Sequence, residues 1–175
     1  FNTGLSVITD ADAPTKLAAG TDDGGAPNVD TTKAATVVGL DTDVELVRMD
    51  IIDVTPYTDL NFLGHGGWGW HLGTIATLKL PFGLTIPARV EYRLFRNDYL
   101  PTYFGSRYEL ERWAFGCSKG EPSIVPKSQC VNQLDGDGFL NGYYADIAFD
   151  ILGLVQLGSV IEGYQGHDAT FDVFL

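Results

Sequence analysis

Basic charge is scarce in this chain: 11 Lys and Arg stand against 23 Asp and Glu, for a formal net charge of −12. An acidic surface repels polyanions, which sets nucleic acid aside as a partner. There is no run of about 18 apolar residues, so no segment reads as a membrane-spanning helix. That absence leaves a membrane β-barrel open, because each of its strands carries only a weak signal. No helix pair or short-period repeat occurs. Met is absent from the first position, as is a charged-then-apolar leader, so a mature or trimmed product is expected. The length of 175 residues suits one domain or a piece of one.

What is present is alternation. From Leu84 to Leu94 the chain reads LTIPARVEYRL. Leu84, Ile86, Ala88, Val90, Tyr92 and Leu94 fall on one face of a strand, and Thr85, Pro87, Arg89, Glu91 and Arg93 on the other. The pattern recurs at about Phe1–Thr9, Thr36–Val47, Ile51–Phe62, Trp70–Leu80, Asn141–Leu152, Val155–Tyr164 and Ala169–Leu175. These candidates run to about 9–12 residues, against the roughly 9–11 that a tilted strand needs to cross a bilayer core. Their connections alternate long and short. Long loops are expected at about 10–35 and 97–138, and tight turns near 48–50, 81–83 and 153–154. Within the second long loop, residues 108–113 fit either a short helix or a strand extension. Outer-membrane barrels have this asymmetry, with short periplasmic turns and longer outer loops.

The face opposite the aliphatic row collects charge. Asp41, Asp43, Glu45, Asp53, Asp59, Glu91, Asp146, Asp150, Glu162 and Asp172 stand against Lys79, Arg89 and Arg93, with His71 nearby. In hydrocarbon each would cost several kcal/mol, on the order of the price of any unpaired buried charge, so they must face water or one another. In a narrow barrel they pair and plug the lumen; in a wide one they line a cation-favouring pore. The plainer alternative is the wet face of a soluble sheet.

Cys117 and Cys130 bracket a Pro/Ser/Lys-rich stretch, and a local disulfide is expected there, against the alternative of two unrelated thiols. Neither a CxxC motif nor a nearby His supports zinc. Asp135, Asp137 and Asn141 offer a weak calcium candidate, and no other metal or cofactor is expected. An EF-hand register with Gly138 as its glycine puts Gln133 and Tyr144 at the terminal ligand positions, and both fail. Of His65, His71 and His167, only His71 lies beside acids, and no nucleophile motif accompanies it, so catalysis is not expected. Trp68, Trp70, Tyr92 and Tyr143 read as interface anchors.

The segment Tyr92–Trp113, YRLFRNDYLPTYFGSRYELERW, resembles a stretch found in outer-membrane β-barrel proteins of Gram-negative bacteria, of the type seen in myxobacteria and other predatory species. The resemblance extends through Gly142–Asp146 and the bend at Leu152–Leu154. It implies an outer-membrane location but no activity or catalytic residues. Such proteins commonly end in an aromatic residue, whereas this chain ends Val173-Phe174-Leu175.

The resulting expectation is an all-β, antiparallel up-and-down transmembrane barrel over 1–175, with about eight strands in view, complete or part of a larger barrel. Its expected role is structural anchoring or a passive pore, with loops for recognition. Its expected partners are the lipid bilayer and other envelope subunits. The alternatives are a secreted β-sandwich that binds a ligand, with or without calcium, and a lipid-modifying barrel enzyme using His71.

Overall fold

The computed structural model describes residues 1–21, 27–64, 67–96, 99–101, 103–104, 108–112, 115–116, 124–129, 138–166 and 168–175. The strands are β1 (Asn2–Thr21), β2 (Pro27–Asp43), β3 (Val47–Arg48), β4 (Ile52–Leu63), β5 (Trp68–Leu80), β6 (Leu84–Arg96), β7 (Phe115–Gly116), β8 (Ile124–Val125), β9 (Phe139–Ile151), β10 (Val155–Tyr164) and β11 (Thr170–Phe174). A single helical turn, α1 (Tyr108–Glu111), lies between β6 and β7. One antiparallel sheet runs β1-β2-β4-β5-β6-β9-β10-β11, with β3 also paired to β4, while β7 and β8 form a small separate ribbon.

The all-β, antiparallel expectation holds. The sheet, however, is open. Its edges are β1 and β11, and no pairing joins them among the described residues. The β11 edge is five residues long and wholly exposed, so it presents only a short ladder.

Register follows from the alternation. Val90 stands opposite Thr74 on one side and Ala145 on the other, and Glu91 opposite Gly73 and Tyr144, so each row of one character spans neighbouring strands. The tight turns sit at one end. Phe82 and Gly83 turn with φ of 67° and 75°, Leu152 and Gly153 with 56° and 67°, and Leu152 N–H donates to the Gly83 carbonyl at 2.9 Å. Only glycine enters that region without strain, which places Gly83 and Gly153 at their turns.

Residues 10–35, expected as loop, are mostly strand. β1 and β2 prolong the sheet into a hairpin whose tip lies beyond Thr21. Their Thr-rich composition explains it: Thr9–Thr36 and Thr15–Thr31 hydroxyl pairs at 2.9 and 2.8 Å join the strands, and Lys16 meets Asp30 at 2.7 Å. Register shifts after Asp10 and Pro14 absorb the proline. The second excursion, 97–138, leaves β6 in mid-sheet and lands on the first strand. Tyr108 Oη donates to Asp10 at 2.7 Å, Arg112 meets Asp10 and the Asp12 carbonyl at 3.0 Å, and Ser128 Oγ donates to the Pro14 carbonyl. The buried apolar cluster lies under this crossing: Ala13, Ala35, Leu63, Phe95, Tyr99, Tyr103 and Tyr108. The molecule's densest apolar packing thus caps one end of the sheet.

Candidate functional site

The ordinary relation of burial to polarity is reversed in mid-sheet. On β6, Val90 is 63% exposed and Tyr92 45%, while Glu91 is 4% exposed and Arg93 7%. The aliphatic row faces outward on every strand tested by its neighbours. Leu72, Ile147, Phe149, Leu157 and Phe171 are all exposed. Along its loop-side margin runs an aromatic band. Trp68 meets Phe139 edge-on at 5.8 Å, Trp70 meets Tyr92 at 6.3 Å, and Trp70 Nε1 donates to Thr58 at 2.7 Å.

The inner face holds a charge network built across five strands. Arg93 donates from Nε to Glu91 at 2.7 Å and from Nη1 to Glu162 at 2.9 Å and Tyr164 at 3.0 Å. Arg89 donates from Nε to Asp146 at 2.7 Å and from Nη2 to Tyr144 at 2.8 Å, and lies 3.5 Å from Glu91. Tyr57 donates to Glu91 from two strands away. Both guanidinium groups lie over the Tyr144 ring, at 4.6 and 4.2 Å. Two glycines make room for this reach. Tyr57 stands opposite Gly73 and crosses it to reach Glu91; a Cβ on Gly73 would sit 2.6 Å from the Tyr57 ring. Tyr164 crosses Gly142 to reach Arg93 in the same way.

The candidate residues therefore divide. Arg89, Glu91, Arg93, Asp146 and Glu162 converge on this network. Lys79 and Asp53 form a separate pair at 2.5 Å nearer the tight turns. Asp59 lies beside His71, with Oδ2 3.6 Å from Nδ1, and accepts from Asn61 at 2.6 Å. Asp41 stands next to Asp59 across β2 and β4. Asp43 accepts from Asn2 at 3.0 Å. One placement on the polar face needs correcting. Glu45 falls outside the strands, exposed, and pairs with Arg48 at 3.0 Å, because β2 ends at Asp43. Asp150 accepts from the Gly153 N–H at 2.8 Å and so caps the turn after β9. Asn141, the one described member of the calcium candidate, accepts from Tyr92 and donates to Gln165 at 3.3 Å, so its amide is engaged within the sheet. Asp135, Asp137, Cys117 and Cys130 lie outside the described residues, as do His65 and His167. Among the described residues no cluster of three or more His, Cys, Asp or Glu could hold a metal.

Alternation puts Tyr57 in one row with Asp53 and Asp59, and Tyr144 in one row with Asp146, but that they, with Tyr164, bind the charged groups is visible only in the structure. The available signal was a tyrosine in a polar row whose neighbour strand offers glycine. In the capping segment, burial pushes the Tyr99, Tyr103 and Tyr108 phenols up from their ordinary values, and the Asp10 carboxylate adds to the shift at Tyr108. Comparison with protein-family models, with curated proteins and with solved structures finds no match.

Proposed function

We propose that this chain is a bacterial outer-membrane β-barrel whose aliphatic face meets acyl chains and whose interior is sealed by the Arg89–Glu91–Arg93 network. Its role is to anchor and present the β1–β2 hairpin and the 97–138 segment, rather than to conduct. The observation that carries this reading is the inversion on β6, where Glu91 and Arg93 are buried and Val90 is bare. A soluble sheet hides Val90 and wets Glu91. A membrane strand does the opposite, because unpaired charge in hydrocarbon costs far more than exposed aliphatic surface. The aromatic band at one margin fits a headgroup boundary. The chain's path through the sheet has eight strands, so its two edges run antiparallel and fit an up-and-down closure of β1 on β11. At that size side chains fill the interior.

The deciding experiment is Val90→Arg. In a bilayer an outward arginine near the midplane costs about 2–4 kcal/mol. On a soluble surface the same change at an exposed site stays within about 0.5 kcal/mol. Denaturant titration of both proteins in lipid vesicles distinguishes the two; an unchanged midpoint refutes the membrane reading. The soluble-sandwich alternative also needs a second sheet over Val90, and none covers it among the described residues.

A further inference from the structure

We infer that the capped end of the inner face binds a small organic ammonium ion carrying a hydroxyl group. A cavity of about 220 Å³ lies there, lined by Asp59, Asn61 and His71 below and by Tyr99, Tyr103 and Phe104 above, with Ile8 and Val37 at its side. That is room for about seven waters at about 30 Å³ each, or a ligand of about as many non-hydrogen atoms.

Three observations select the ligand. First, the carboxylate at this cavity lacks the cation that its neighbours in mid-sheet have. Asp53, Glu91, Asp146 and Glu162 each have a Lys or Arg partner. Asp59 and its cross-strand neighbour Asp41 have none among the described residues; Asp59 has only Asn61 and the His71 ring. Second, His71 Nε2 is a buried polar atom of a cavity-lining residue without a hydrogen-bond partner. Leaving such an atom unmet is costly, so a ligand hydroxyl that meets it is favoured. Third, the ceiling is aromatic, with Tyr103 and Phe104 edge to face at 5.0 Å. Ring faces attract alkylated ammonium groups. Lys127, whose ammonium lies 5.8 Å from the Tyr103 ring, does not line the cavity. A cation seated against Asp59 and the rings, with its hydroxyl toward His71, satisfies all three.

The test is calorimetric titration of the full chain in maltoside micelles with choline and with 3,3-dimethyl-1-butanol, its neutral isostere. Choline is expected to saturate with a Kd of about 1 mM or tighter, and the isostere not to bind. Asp59→Asn should weaken choline about tenfold or more, with the thermal midpoint unchanged. Tetramethylammonium, which lacks the hydroxyl, tests that group: weaker binding than choline supports its role, and equal affinity overturns it. Equal binding of the isostere, no saturable heat with choline, or full affinity in a folded Asp59→Asn protein would each overturn the inference. None of these outcomes depends on whether the outer face meets lipid.

Discussion

Glu91 and Arg93 show what a buried charge requires of its neighbours. Each is almost wholly removed from solvent, and each has several partners: Tyr57, Arg93 and Arg89 for the carboxylate, Glu91, Glu162 and Tyr164 for the guanidinium. Removing one member leaves the other buried and short of charge. Arg93→Ala is expected to destabilise by about 3–5 kcal/mol, whereas Glu91→Gln combined with Arg93→Gln should cost less than the sum of the single changes. Denaturation midpoints of the three proteins measure this, and simple additivity would contradict a coupled pair. Gly73 belongs to the same unit. Gly73→Val pushes a side chain into the space Tyr57 crosses, and overpacking of this kind costs about 1–3 kcal/mol. The charged partners were legible as residues in the polar row, since alternation assigns a face. Their pairing was not, because Arg93 and Glu162 are 69 residues apart and meet only through the register of β9 between them.

At the scale of elements, the described residues between β6 and β9 include a strap, held to β1 by Tyr108, Arg112 and Ser128. Tyr103 and Tyr108 are held above their ordinary phenol values in the folded chain, mainly by burial. A raised folded value means that the neutral phenols add stability in full below about pH 10, the unfolded value, and that this contribution fades as pH rises beyond it. The strap is therefore expected to loosen above about pH 10. Limited proteolysis within 97–138 should accelerate there, in step with tyrosinate absorbance. The Tyr108→Phe protein should be cleaved faster at neutral pH and show a smaller alkaline change; identical pH profiles would sever Tyr108 from the strap. The positions of β4, β5, β6, β9, β10 and β11 were readable because each carries alternation between turn residues, whereas the two-residue β7 and β8 carry none. The β1–β2 extension was not, because its Asp, Gly, Ala, Pro and Thr composition is that of a loop. Hydroxyl pairs across the strands and the strap lying on Ala13 and Pro14 made it sheet.

For the whole molecule, the arrangement of polarity is the leading fact. The charged groups of the inner face are largely paired, the bare face is aliphatic, and the apolar core is confined to the capped end. If the sheet closes as proposed, the protein should pass no ion current in a planar bilayer, and steady conductance from the unaltered protein would refute sealing. The Arg93→Ala protein, if it folds, removes a cation that ties β6 to β10 across the interior, and a rise in conductance on that change alone would identify the network as the seal.

Sequence alone determined the two-sided strands and the sign of each face, because a period of two is a local property of an extended chain. Tertiary structure decided which charges meet, where the hydrophobic packing lies and that residues 10–35 are mostly strand. Those outcomes depend on contacts between strands and segments far apart in the chain, and no local pattern encodes such distances.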